Sequence, residues 1–107
     1  MTRTVDIVIV GGNAAAVAAT IDAVRRGLRV LVVIRRRGSN RARRLRRSVA
    51  TACAMSPEQL SVVTGAEVAC ADGVKSIEAV VVRQLRSRRL IGVNASEMLN
   101  LEGRGCH

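Results

Sequence analysis

The sequence has no phenylalanine, tyrosine or tryptophan among its 107 residues, and only one proline, one histidine and three cysteines. Without aromatic rings a core must be packed from Val, Ile, Leu, Ala and Met, the aliphatic mix of strands buried on both faces. The same absence removes the stacking platforms on which sequence-tolerant binding of single-stranded nucleic acid leans. It also removes the interfacial anchors of a helix that rests on a membrane. Cys53, Cys70 and Cys106 form no C-x-x-C pair, and Cys106-His107 offers too few donors for a zinc site. They read as reduced, mostly buried thiols of a cytoplasmic protein. No run approaches the roughly 18 apolar residues of a membrane span. Val5 to Ala19 imitates a secretory signal, but Asp6 and Gly11-Gly12 interrupt its apolar run. No membrane partner is expected.

Negative charge is scarce as well. Eight Asp and Glu stand against 18 Lys and Arg, a net charge of +10 that attracts phosphates, whether of a nucleotide or of a nucleic acid. Apolar residues still make up 49% of the chain, which excludes a disordered tail. At this length one core can be built, so residues 1–107 are expected to form a single domain.

Ile7-Val8-Ile9-Val10 is a short β-branched run, the mark of a strand covered on both faces. Gly11-Gly12 breaks it. Asn13 to Arg26 reads as a helix with Val17, Ile21 and Val24 on one face, Arg25 and Arg26 in the last turn, and Gly27 suited to the position after the C-cap. Val30 to Ile34 is a second apolar strand. Strand, glycine turn, helix and strand make one right-handed βαβ unit. Arg35 to Arg47 holds eight arginines in thirteen positions. Ala42, Leu45, Val49 and Ala52 recur through and beyond it at helical spacing, which predicts a basic amphipathic helix from about Asn40 to Ala54, stopped by Ser56-Pro57. Leu60 to Val63 is a third strand. An antiparallel meander follows: Ala66–Ala71, a turn at Asp72-Gly73, Ser76–Leu85, a turn at Arg86-Ser87-Arg88, and Leu90–Val93. Glu97–Leu101 reads as a returning strand, weakened by Glu97 and Asn100.

The turn after the first strand carries a degraded form of the G-x-G-x-x-G pattern, in which glycines let a backbone approach a pyrophosphate and a helix N-terminus binds it. The corresponding positions are Gly11, Asn13 and Ala16. Gly11 makes the tight turn, and Ala16 is an accepted replacement where helix and strand pack. Asn13 departs from the pattern. Its side chain stands where the pyrophosphate would approach, either crowding it or donating a hydrogen bond to it. Gly11, Gly12, Asn13, Ala14 and Ala15 are therefore candidate cofactor-binding residues. At the end of the second strand, where an NAD or FAD site places an acid for the ribose hydroxyl, stands Ile34, followed by Arg35-Arg36-Arg37. An arginine cannot accept that hydrogen bond, but it can pair with a ribose 2′-phosphate. Arg35, Arg36, Arg37 and Arg41 complete the candidate set. No His, Cys or carboxylate stands in an acid–base or nucleophile arrangement, and terminal His107 is not a catalytic candidate.

With these residues the chain resembles the NADPH-binding domain of thioredoxin-reductase-like flavoproteins, within the pyridine nucleotide–disulfide oxidoreductases. Gly11-Gly12-Asn13-Ala14-Ala15 is similar to that family's GGGNSA-like turn, and Arg35 to Ala42 to its HRRxxxRA-like segment. The similarity runs on through Pro57, a TGAEV-like segment at Thr64 to Val68 and the hairpin at Ile77–Arg83, with a final strand ending at Gly103. The resemblance implies an α/β fold, a Rossmann-like parallel sheet with two helices and a C-terminal antiparallel meander. It implies NADP(H) as cofactor and a place in an FAD/NAD(P)-dependent oxidoreductase. The family's C-x-x-C and its complete FAD domain have no counterpart here, so catalysis would need a flavoprotein subunit or a second copy. Asp6 to Gly12 and Ala23 to Val32 also look like the opening of FAD-dependent oxidoreductases, which end the second strand with Glu where this chain has Ile34. FAD is thus the alternative cofactor. The alternative function is that of a small basic protein whose Arg41–Arg47 helix docks on nucleic acid.

Overall fold

The computed structural model describes residues 2–36, 39–54, 56, 58–69 and 79–101. Arg37, Pro57, Cys70, the turn at Asp72-Gly73, the start of the hairpin at Ser76-Ile77, Gly103 and Cys106-His107 lie outside them. In chain order the elements are β1 (Thr2–Thr4), β2 (Ile7–Val10), α1 (Ala14–Arg25), β3 (Val30–Ile34), α2 (Ser39–Ala52), β4 (Leu60–Thr64), β5 (Ala66–Ala69), β6 (Ala79–Gln84), β7 (Leu90–Asn94) and β8 (Glu97–Asn100).

They form two sheets. The first is wholly parallel, in the order β4-β3-β2-β8, with Ile7 opposite Val30 and Leu31 opposite Ser61. The second contains the meander, β5-β6-β7, in antiparallel pairing, with β1 added parallel to β7 at its edge. The strand β1 has no signal in the sequence. Three residues, two of them threonine, carry too short a pattern to reveal a strand that exists only because β7 offers it a ladder. The returning strand is real and parallel, pairing Ile7 with Glu97 and Ile9 with Leu99. Glu97 is exposed, and polar residues are tolerated there because β8 is the sheet's edge.

Side chains of the parallel sheet alternate between two apolar clusters. Ile7, Ile9, Val30, Val32, Ile34 and Leu60 face the helices, where Ala16, Ala23, Val24, Leu45 and Val49 meet them. Val8, Val10, Leu31 and Val33 face the other way, against Ala66, Val82, Val93 and Ala95 of the meander side. Every residue of β2 and β3 is buried, as their unbroken apolar runs require.

The buried face of α1 lies one residue from the Val17-Ile21-Val24 stripe expected from spacing. Ala16, Thr20, Ala23 and Val24 are buried, while Val17 and Ile21 pack at the margin. Small residues let the helix axis sit close to the sheet. The Thr20 hydroxyl, wholly buried, donates to the Ala16 carbonyl at 2.7 Å and so carries no unmet polarity. Gly27, at φ +77°, closes the helix: its N–H reaches the Val24 carbonyl at 3.0 Å and that of Leu28 reaches Ala23 at 3.1 Å. This is the Schellman arrangement, which favours glycine at that site.

α2 is held by tertiary contact. Four pairs of arginines, 41/44, 43/46, 44/47 and 43/47, stand three or four residues apart on it, with no acid among them. Each such pair costs about 0.2–0.5 kcal/mol. Burial of Leu45 and Val49, each contributing about 1.5–3 kcal/mol, outweighs that repulsion. Leu45→Ala is accordingly expected to cost about 2–5 kcal/mol. Arg44→Ala, at an exposed position, should stay within about 0.5 kcal/mol. Urea denaturation of the two variants checks the contrast, and equal midpoints would refute this account of what holds α2.

Candidate nucleotide-binding site

The candidate site lies where β2 gives way to α1. Gly11 is buried at φ +134°, a backbone region that side chains rarely enter, and its N–H donates to the Val33 carbonyl of β3 at 2.9 Å. The turn is thus pinned to the end of the neighbouring strand. Asn13 is the N-cap of α1: its Oδ1 accepts from the Ala16 N–H at 2.9 Å, while its Nδ2 donates to the Leu101 carbonyl at 2.9 Å. The N–H of Leu101 in turn donates to the Val10 carbonyl at 2.9 Å. Both polar atoms of Asn13 are therefore engaged within the protein, one holding the helix and one tying it to the end of β8. The structure gives Asn13 a third role beside the two that the sequence leaves open.

With Asn13 capping Ala16, the N–H groups of Gly12, Asn13, Ala14 and Ala15 have no acceptor among the described residues. They line the positive end of α1, with Ala14 and Ala15 exposed. Such a set is what an anionic oxygen requires. Gly12 makes room above it. A Cβ built there would lie 3.4 Å from Cδ of Arg41 and 3.5 Å from Ile34. Three elements therefore meet at one point: the turn after β2, the apolar end of β3, and the first turns of α2, where Arg41 lies.

The arginines expected to act together have different surroundings. Arg41 lays its aliphatic stem beside Gly12. Arg35 forms an ion pair with Glu67 of β5 at 3.8 Å, and Glu67 also holds Arg83 of β6 at 3.6 Å. Arg36 is exposed, with its carbonyl accepting from the Gly65 N–H at 3.3 Å. Glu67 escaped the reading of the sequence, because its partners are 32 and 16 positions away and only strand pairing brings them near. Among the described residues no cluster of three or more His, Cys, Asp or Glu could hold a metal ion, and no helix is long and apolar enough to cross a membrane.

No protein-family model matches the sequence, and no curated protein is significantly similar to it. Solved structures are. Thioredoxin reductase from Streptococcus pyogenes superposes over 95% of this chain and 32% of its own, with a TM-score of 0.65 at 17% identity. This is a Rossmann-type fold. Bacillithiol disulfide reductase from Staphylococcus aureus matches over 94% of this chain and 29% of its own, with a TM-score of 0.66 at 16% identity. The flavin-dependent monooxygenase PieE, solved with FAD and substrate, matches over 89% and 29%, with a TM-score of 0.64 at 14% identity. The chain spans about a third of the length of these oxidoreductases. The α/β architecture, with its parallel sheet, two helices and meander, is the one the sequence implied.

The double duty of Asn13 has a measurable consequence. Asn13→Ala is expected to cost about 1–2 kcal/mol, since both the cap and the tie to Leu101 are removed. Asn13→Asp keeps the cap and removes only the donor, so it should recover at least half of that loss. It should still speed hydrogen exchange at the Leu101 N–H as strongly as Asn13→Ala does. Exchange at Leu101 that is unchanged in Asn13→Asp would show that the tie is dispensable.

Proposed function

We propose that this chain binds a dinucleotide, NADP(H), as the nucleotide-holding part of an FAD/NAD(P)-dependent oxidoreductase. The observation that carries the reading is Arg41 seated over Gly12 beside Ile34. A pyrophosphate fits the open N–H groups of Gly12 to Ala15, bound by their hydrogen bonds and the positive end of α1. The adenosine ribose of a ligand so bound reaches the end of β3, where an NAD or FAD site needs a carboxylate. Ile34 can accept no hydrogen bond there. Arg41 and Arg36 present cations instead, which suits a 2′-phosphate. Arg35, engaged with Glu67, supports the field at a distance.

Among the described residues no group suited to proton transfer or nucleophilic attack stands at this site, and the chain spans about a third of the length of the oxidoreductases with which it shares a fold. Its role in hydride transfer is therefore to hold and orient the nucleotide, with a cytoplasmic flavoprotein subunit or a second copy completing the electron path. FAD is the second reading. It is favoured by PieE, whose structure contains FAD and whose backbone this chain follows over 89% of its length.

Titration of the purified chain with NADP, NAD and FAD tests both. A charge-assisted arginine–phosphate contact of about 1.5–3 kcal/mol corresponds to a preference for NADP over NAD of roughly ten- to a hundred-fold. Arg36→Ala combined with Arg41→Ala should erase the preference by weakening NADP far more than NAD, because only NADP offers those side chains a 2′-phosphate. Added salt should narrow the gap, since the site is at the surface. Equal affinity of the unaltered chain for NAD and NADP would overturn the assignment. FAD binding tighter than either would move it to the flavin reading.

A further inference from the structure

The turn between β6 and β7 carries Arg86, Arg88 and Arg89, all exposed. It is a firmly built turn. The Arg88 N–H donates to the Gln84 carbonyl at 2.8 Å and the Gln84 N–H to the Arg89 carbonyl at 2.9 Å. The Ser87 hydroxyl donates to Gln84 Oε1 at 3.0 Å and accepts from the Arg89 N–H at 3.3 Å. Arg88 sits at φ +56°, a conformation that these bonds enforce. The turn does not stand apart from the rest of the molecule. Leu85 N–H donates to the Gly65 carbonyl at 2.8 Å, and Gly65 N–H donates to the Arg36 carbonyl at 3.3 Å. Two hydrogen bonds thus join the hairpin tip to the carboxyl end of β3, so Arg86, Arg88 and Arg89 belong to the same end of the molecule as Arg35 and Arg36. Glu67 offsets charge there by pairing with Arg35 and Arg83. Among the described residues Arg36, Arg86, Arg88 and Arg89 have no acidic partner within 4.0 Å.

We infer that this end of the molecule is a docking surface for the phosphate backbone of a nucleic-acid duplex, with the β6–β7 turn as its fixed element. The inference rests on the hairpin arginines, which the nucleotide reading does not use. A dinucleotide brings a few phosphates, which Arg36 and Arg41 with the α1 N–H groups can meet, and this leaves the hairpin arginines of a chain of net charge +10 without a counterpart. A polyphosphate backbone supplies charges in series over a surface of this extent. The absence of every aromatic residue argues for a duplex, contacted through its phosphates, over a single strand gripped by stacking. It argues equally against a lipid surface, which favours aromatic anchors at the interface. Arginines on a rigid turn lose less freedom on binding than the same residues on a loose loop. Contacts to phosphates carry no sequence information, so binding through these arginines is expected to be indifferent to sequence.

The test is fluorescence anisotropy of a labelled DNA duplex of about two helical turns, titrated with the full chain between about 50 and 200 mM salt. The variant carries Arg86→Gln, Arg88→Asn and Arg89→Gln together, asparagine being chosen at 88 because it accepts positive φ. Arg25→Gln with Arg29→Gln, near the opposite end of the sheet, is the control. The unaltered chain should bind with a steep slope of log affinity against log salt. The hairpin variant should reduce that slope by about 2.7, or 0.9 for each phosphate that an arginine no longer neutralises. The control should leave the slope nearly unchanged, and circular dichroism should report the same fold for all three proteins. NADP and FAD affinities should be the same in the hairpin variant, which separates this surface from the nucleotide site. A slope equal in hairpin and control variants would overturn the inference. So would binding to vesicles of anionic phospholipid that depends on the hairpin arginines while the duplex does not bind.

Discussion

Ile9 and Val32 lie side by side in the parallel sheet, with helices over their face and, on the reverse, Val8 and Leu31 under the meander. A parallel pair of strands this apolar cannot leave either face in water, so both layers must form for either to persist. Everything functional in the molecule hangs on that double burial. The end of β2 can release into the turn at Gly11 because β3 holds the turn through the Val33 carbonyl. The same strand pair sets α2 beside α1 and so lowers Arg41 onto Gly12. On the reverse face it holds the meander, and with it the hairpin arginines, at the carboxyl end of the sheet.

Charge is distributed on this frame with little internal compensation. Of the three ion pairs among the described residues, Asp22–Arg26 is an exposed pair within one helix turn, worth little. The other two share one acid, Glu67: Arg35 ties the end of β3 to the second sheet, and Arg83 pairs with Glu67 within that sheet. The arginines of α2 have no such partners within 4.0 Å among the described residues. Their mutual repulsion is borne by the burial of Leu45 and Val49. An anion bound at this surface, whether a single nucleotide phosphate or a backbone of them, therefore relieves strain that the fold already carries.

Much of this was legible from the order of residues. The runs at Ile7–Val10 and Val30–Ile34 read as buried parallel strands because they are short, unbroken, rich in β-branched residues and bounded by turn signals. Gly27 closes its helix because the motif is local, completed by residues three to five positions back. The hairpin turn at Arg86–Arg88 is equally local. Asn13 was harder. The spacing counts it inside the helix, whereas it is the N-cap, and its second bond runs to Leu101, 88 residues on, where no pattern in the sequence points. The three-residue β1 was invisible for the same reason, since its only support is β7.

By itself the sequence determined which segments are apolar enough to be strands, which are periodic enough to be helices, and that the molecule would present an excess of arginine to anything carrying phosphate. Those are properties of neighbours along the chain, governed by period and by local backbone preference. The tertiary structure alone decided which arginine meets which partner. Arg35 and Arg36 are adjacent in sequence, yet one is drawn to Glu67 on the second sheet while the other stays exposed. Arg41 reaches Gly12 across 29 positions. Charge acts through space and falls with distance, so its pairing waits on where the strands place each end.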